Sequence, residues 1–411
     1  MKSKTDTLPI SQAFKPLGDP GKQFVIGRDG RYTKLSPEII WIVAVAFLVS
    51  YGLTGAIRRY ALHHGIIDVP NSRSSHTAPT PRGGGLAMVV VFLASLLLLA
   101  LQGAVGAKTA VALIGGGLLV AGVGWLDDRR GLPPGTRAVV QGLAALWALS
   151  WLGGLPSLDL GITRLFLGPV GFLPGLLGIV WCINLYNFMD GIDGPAGAEA
   201  VTVAGTAALL LAGRKAGLFP VAGATGTAAE AAGIALVGAL LVPAAAGFLV
   251  WNWPPAKIFM GDVGSGFLGF TFGTLAVASE NSGALPLQVW VLLLGVFVVD
   301  ATATLLRRIR RGERWTEAHR THAYQLAVQA RWTHKQATLA VLGINLLLGL
   351  LAAAACLWPR ALLLVVGLAG TALVFFWARV VKSCEAHRRS RMEEGIREAA
   401  AASSSQPPAS F

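Results

Sequence analysis

The chain has 411 residues, 54% of them apolar and only 13% charged, with a formal net charge of +13 at pH 7. Soluble domains run nearer a quarter charged, so a chain this apolar could not cover its own surface in water, and lipid is its expected solvent. The cations are not gathered on a module with interleaved aromatics, which argues against nucleic acid as a partner.

Residues 1–36 carry seven Lys and Arg and no apolar h-region, so they read as an N-terminal extension and not as a signal peptide. Apolar runs long enough to span about 30 Å of hydrocarbon follow near 38–57, 84–102, 109–126, 138–153, 170–187, 197–213, 233–250, 263–279, 286–305, 336–354 and 359–380. The expected fold is all-α: a polytopic integral membrane protein of about 10–11 transmembrane helices, filling 37–381. Its many Gly and Ala residues suit close helix packing in lipid. Residues 382–411, Ser/Pro-rich at their end, read as a disordered cytoplasmic tail. Cys182, Cys356 and Cys384 lie in or beside apolar runs at no metal-ligand spacing.

Lys and Arg set the orientation. From residue 38 onward, twenty-two fall on the side that holds loops 58–83, 127–137, 188–196, 251–262 and 306–335 and the tail from 381 (with Arg379 at the helix end), against five on the other. By the positive-inside rule that crowded side is cytoplasmic.

The polar motifs lie on that same side. The first loop, Asp68 to Gly85, is kept extended by Pro70, Pro79 and Pro81, and its glycines open a helix whose free N–H groups favour an anion. Arg73, His76 and Arg82 can add phosphate contacts, although a plain juxtamembrane basic loop would look similar. The second loop begins with Asp127 and Asp128 at the end of an apolar helix. Adjacent carboxylates are costly there without a cation, either Arg129 and Arg130 or a magnesium ion.

The third motif is Asn184-Leu-Tyr-Asn187-Phe-Met-Asp190-Gly-Ile-Asp193-Gly, whose polar residues share one face while the helix lasts. Asn252 opens the fourth, which continues to Phe259-Met-Gly-Asp262-Val-Gly-Ser-Gly266; it sets a carboxylate beside glycines that start the next helix. Phe259 can stack on a base or simply pack. The last loop has an arginine run from Arg307 and then His319-Arg320-Thr-His322, where two histidines at i, i+3 can share a helix face and touch a phosphate.

Taken together the loops resemble the polyprenyl-phosphate N-acetylhexosamine-1-phosphate transferases. The matching pieces are PN-R--H----P--GG, DD---L, N--NFMDGIDG and N---A-IFMGD-GS, in that family's order over about 55–330. The resemblance implies transfer of a sugar-1-phosphate from a UDP-N-acetyl sugar to undecaprenyl phosphate, with Mg²⁺ (or Mn²⁺) and release of UMP. It implies an enzyme of the bacterial inner membrane, its active site cytoplasmic and its quaternary state open to a homodimer. Asp262 falls on the metal-binding Asp, Asp127 and Asp128 on the essential acidic pair, and Asp128 is a second metal candidate. Asp190, Asn252 and Phe259 fall on nucleotide positions, and Asn187 and Asp193 belong to the same acidic loop.

Two departures stand out. Ser74 follows Arg73 where many members have a basic residue, and His322-Ala-Tyr324-Gln325 keeps only the first histidine of a multi-histidine motif. The AHRTHAYQ form resembles the O-antigen-initiating subgroup of lipopolysaccharide synthesis, whose sugars include 6-deoxy hexosamines. A secondary transporter or lipid flippase is the rival reading. Transporters set polar groups on broken helices near mid-bilayer, whereas here the acids crowd one face.

Overall fold

The computed structural model describes residues 37–70, 75–219, 228–314 and 319–404. The extension 1–36, Arg73 and the last residues of the tail lie outside them. The described chain is helical throughout, apart from two two-stranded ribbons.

Helix α1 (Pro37–His63) leads into a ribbon of β1 (Ile67–Asp68) and β2 (Thr80–Pro81), paired Ile67 to Pro81 and Asp68 to Thr80. Then come α2 (Gly85–Leu101), α3 (Ala107–Arg130) and α4 (Pro134–Leu152). A second ribbon, β3 (Ser157–Asp159) and β4 (Arg164–Phe166), joins α4 to α5 (Phe172–Met189). Helices α6 (Pro195–Lys215), α7 (Ala228–Asn252) and α8 (Asp262–Asn281) follow. The run expected at 286–305 is two helices, α9 (Leu287–Leu293) and α10 (Gly295–Arg310), bent by 80° at their junction. The chain ends with α11 (Ala323–Gln329), α12 (His334–Leu357) and α13 (Leu362–Ser404).

Each of the eleven apolar runs therefore falls on a helix or on the bent pair. By length and composition seven of the described helices (α1, α3, α5, α6, α7, α12 and α13) can each cross a membrane, and eight spans result if the bent pair counts as one. This is a multi-pass membrane protein. Its outer helices show why: only 11% of the best window of α13 and 22% of that of α1 is buried by protein, and Leu364, Leu368, Phe375 and Trp41 project outward. Such apolar faces are tolerable only against lipid.

Helix α8 is the opposite case. Every residue from Val263 to Glu280 is buried, enclosed by α2, α3, α4 and α5. A helix sheathed in protein has no need of strong hydropathy; small residues serve it better, and Gly264 and Gly269 meet Gly85 of α2 and the Cys182 carbonyl of α5. At the far end α13 continues to Ser404, through most of the segment that composition assigns to a disordered tail. Its Glu-Glu-Gly-Ile-Arg-Glu-Ala-Ala stretch is rich in strong helix formers.

Candidate active site

The rim where α3 ends and α8 begins collects the acidic loops. Helix α8 starts with unpartnered N–H groups, and Asp128 from the last turn of α3 caps them. Its Oδ1 accepts from Asp262 N–H at 2.9 Å and its Oδ2 from Val263 N–H at 3.1 Å. The turn before α8 requires glycine: Gly261 has φ 78°, and a Cβ there would lie 2.5 Å from Asp128 Oδ2.

Two arginines bind these acids into one network. Arg82 donates from Nε to Asp128 Oδ1 at 2.8 Å and from Nη2 to Asp262 Oδ1 at 2.7 Å. Arg137, on α4, donates from Nη1 to Asp127 Oδ2 at 2.8 Å and to Asp262 Oδ2 at 3.2 Å. Asp127 Oδ1 also accepts from Leu132 N–H, which closes the turn after α3. Asp262 is thus bridged by both guanidinium groups, one to each oxygen.

Asp190 follows the last residue of α5 and lies within reach of the same charges. Burial and the negative charge of Asp262 raise its carboxyl well above the usual carboxylate range, against the pull of Arg82. With Asp190 held protonated, the carboxylates of Asp127, Asp128 and Asp262 face two guanidinium groups, an excess of one negative charge. Among the described residues no group of three or more His, Cys, Asp or Glu is prearranged to hold a metal ion. Magnesium does not require one, since it is commonly held by one or two carboxylates together with substrate phosphates. The donor chemistry and the charge excess fit a divalent cation. Asp262 is the more accessible of the two expected ligands, its side chain 16% exposed against 3% for Asp128, whose oxygens both cap α8.

The other expected residues take varied places. Asn187 donates to Ser265 Oγ at 3.2 Å, tying α5 to the first turn of α8, while Asn184 turns away to Gln141 Oε1 at 2.9 Å. Asn252 is buried with both ends taken: its Oδ1 accepts from Gly194 N–H at 3.0 Å and its Nδ2 donates to the Ile258 carbonyl at 3.0 Å. It braces the third loop against the fourth. Asp193 is likewise engaged, accepting from Ala256 N–H at 3.0 Å and facing His334 Nδ1 at 3.1 Å. That geometry makes it a loop anchor and sets it apart from the acid–arginine network.

His76 meets the Phe259 ring edge-on at 4.8 Å, and the Phe259 backbone is zipped to the first loop by Phe259 N–H to Pro81 O at 2.8 Å. The two rings form an aromatic wall. Alongside, a cleft of about 600 Å³ lined by Tyr60, His64, Asp68, Arg82, Asp128 and Arg129 opens onto the acidic network.

In the last loop His319 and His322 share no helix. His322 is the extended residue just before α11, and the rings stack at 4.9 Å. Burial, then the nearby His322, lowers His319 to about 4, so it is neutral at physiological pH. The loop docks on the third motif: Tyr324 Oη donates to the Phe188 carbonyl at 2.9 Å, and the His322 ring stacks on Phe188 at 6.1 Å. The Arg320 carbonyl accepts from Gln329 Nε2 at 2.9 Å.

Three residues escape the motif reading: Arg137, His334 and Asp300, which accepts from Ala323 and Tyr324 N–H at the start of α11. Arg137 closes the second loop, close to its acids in the chain, and Asp300 carries a signal of its own. A lone ionisable residue in an apolar run is expensive and therefore a functional candidate by default. His334 stands at a helix start without any such mark.

A helical membrane bundle carrying this network on one rim is the frame of a membrane-embedded transferase. Comparison with known proteins agrees. A model of glycosyl transferase family 4 matches residues 110–280. A decaprenyl-phosphate N-acetylglucosaminephosphotransferase of Mycolicibacterium smegmatis is 30% identical over 338 residues, covering 74% of this chain and 79% of the relative. A phospho-N-acetylmuramoyl-pentapeptide-transferase of Mycobacterium leprae is 31% identical, covering 72% of this chain and 91% of the relative. A probable undecaprenyl-phosphate N-acetylglucosaminyl 1-phosphate transferase of Bacillus subtilis is 26% identical, covering 73% and 81%. The chain belongs to glycosyl transferase family 4, among the polyprenyl-phosphate N-acetylhexosamine-1-phosphate transferases.

Proposed function

We propose that this enzyme transfers an N-acetylhexosamine-1-phosphate from a UDP-sugar to undecaprenyl phosphate in the bacterial inner membrane, releasing UMP on the cytoplasmic side. We place it at the first membrane step of O-antigen or a related envelope polysaccharide. The observation that carries the reading is the single network of Asp127, Asp128 and Asp262 with Arg82 and Arg137, at the rim bearing most of the chain's cations.

The acceptor phosphate is already an anion, so it needs positioning and charge neutralisation more than a base. Arg82 and Arg137, now shared between carboxylates, supply N–H donors to phosphate oxygens. Mg²⁺ (or Mn²⁺), held by Asp262 with Asp128 as its neighbour, would neutralise the diphosphate of the donor. Asp127 holds Arg137 in place and can take a proton from the acceptor phosphate. The wall of His76 and Phe259 offers a stacking surface for uracil, and His322 with the arginines of the last loop balances the remaining charge. A carboxylate attacking phosphorus first, through an aspartyl phosphate, is the rival route. Transport is disfavoured because the acids gather at one rim, away from mid-bilayer.

Purified protein given undecaprenyl phosphate, Mg²⁺ and a panel of UDP-N-acetyl sugars should yield UMP and a diphosphate-bridged lipid. Excess UMP should regenerate UDP-sugar from that lipid, since one phosphoanhydride is exchanged for another. Release of UDP instead, with a monophosphate-linked lipid, would remove this reading.

Orientation has its own test. In a background lacking Cys182, Cys356 and Cys384, single cysteines at Arg130 and Thr333 should resist an impermeant thiol reagent in intact cells. One at Ala104 should react. Labelling of the first two from outside would place the site on the wrong face.

A further inference from the structure

Asp300 sits on α10, the second half of the bent span, and is only 5% exposed. It collects more donors than a helix cap needs. Its oxygens accept from Ala323 N–H at 2.9 Å and Tyr324 N–H at 3.3 Å, from Thr304 Oγ1 at 3.0 Å and from Trp377 Nε1 on α13 at 3.1 Å. The His322 ring faces it as well, with Nδ1 at 3.6 Å from Asp300 Oδ1. That Nδ1 is buried and makes no hydrogen bond, in a side chain 3% exposed. A buried ring nitrogen without a partner is rare and costly.

We infer that Asp300 is the positioning residue of His322: it draws the Nδ1–H toward its carboxylate and so fixes the ring with Nε2 as the edge left for substrate. Separations of this kind are often long in a substrate-free enzyme and tighten in the reacting complex. A carboxylate on the far nitrogen settles the tautomer and orients the ring.

The surroundings leave that task to Asp300. Phe188 of α5 offers His322 an uncharged face, Tyr324 of α11 has its hydroxyl engaged by the Phe188 carbonyl, and His319 of the same loop is stacked and neutral. Arg307 of α10 approaches from the other side, donating from Nη2 to the Thr321 carbonyl at 2.6 Å and pairing with Glu385 of α13 at 3.4 Å. The C-terminal helix thus holds both Asp300, through Trp377, and the residue next to His322, through Arg307. The inference rests on the transfer reaction proposed above.

A double-mutant cycle on the detergent-purified full chain tests it, with UMP release as the readout. Asp300→Asn keeps the size of the side chain and one oxygen for the α11 N–H groups, removes the charge, and turns an amide N–H₂ toward the partners of the other oxygen. It should lower kcat about 10- to 100-fold, the usual loss for a carboxylate that orients a histidine, with little change in KM for the UDP-sugar. In a His322→Ala background the same change should cost less than about 3-fold, because residues acting as a unit are not additive. Asp300→Glu should recover part of the single-mutant loss.

Equal losses with and without His322 would show that Asp300 only braces the fold, and would overturn the inference. So would near-normal kcat in Asp300→Asn. If Asp300→Asn fails to fold, Trp377→Phe, which removes only one donor to Asp300, takes its place in the cycle under the same two criteria. Absence of any UMP release from the unmutated chain would instead strike the proposed reaction itself.

Discussion

Asp262→Asn is expected to lower turnover at least ~100-fold, the scale of removing one key electrostatic stabiliser. The substitution preserves shape and leaves the α8 cap intact, since the capping oxygens belong to Asp128. What it removes is the negative charge to which both Arg82 and Arg137 reach. On the proposed reaction it would also remove an oxygen offered to the divalent cation, and the Mg²⁺ needed for half-maximal rate should rise. Asp128→Asn should be comparably slow for a mixed reason. An amide N–H₂ would face one of the two N–H donors at the start of α8, leaving it unsatisfied at a cost of about 1–3 kcal/mol. Melting therefore helps to separate the two variants: Asp128→Asn should lose the more stability, because backbone N–H groups cannot turn aside, whereas the arginines that reach Asp262 are also held by Asp128 and Asp127. Exposed Lys108, beyond the opposite rim, serves as the control, and its change to Gln should be silent. Near-normal turnover of Asp262→Asn at limiting Mg²⁺ would end the assignment of that residue to metal.

The loops were legible in the sequence for a physical reason. A polar side chain at the end of a membrane helix is costly, so Asp127, Asp128, Asp190 and Asp262 stand out against an apolar chain. Their partnership was not legible, because Arg82 and Asp262 are 180 residues apart and no spacing rule connects them. Helical period gave only half the truth for Asn184 and Asn187, which share a helix yet bond to α4 and α8 respectively. Asp193 reads as a catalytic candidate and Asn252 as a nucleotide contact, whereas their hydrogen-bonding capacity is largely used by the backbone of neighbouring loops. The histidine pair at i, i+3 implied a helix, but the chain is extended until α11 begins at Ala323. The bend between α9 and α10 carried no proline and was read as one straight span. That bend sets the angle of α10, on which Asp300 stands, and neither could be placed from residue order alone.

The second large effect is expected from a residue with no side chain. Gly85→Ala should lower kcat about 100-fold, although it touches no charged group. Three backbone hydrogen bonds zip the first loop to the fourth: Phe259 N–H to Pro81 O at 2.8 Å, Gly84 N–H to Phe259 O at 2.9 Å and Gly85 N–H to Met260 O at 2.9 Å. This zipper carries Arg82 to Asp262, and it closes only because α2 and α8 start with their backbones in contact. A Cβ on Gly85 would lie 2.5 Å from Gly264 Cα and 2.9 Å from the Met260 carbonyl oxygen. Both are backbone atoms, so neither can rotate aside, and the two helix starts must separate. Overpacking of this kind costs about 1–3 kcal/mol, which a bundle this size can survive. Catalysis is less forgiving, since a displacement of ~1 Å at a positioned group can cost about 100-fold. The loss should therefore appear in kcat while the protein still purifies folded. Gly122→Ala on α3, where a Cβ would meet nothing within 4 Å, should leave the rate unchanged. A Gly85→Ala enzyme within about 3-fold of normal would mean that Arg82 finds Asp262 without the zipper, and that the first loop is free to close on the site by itself.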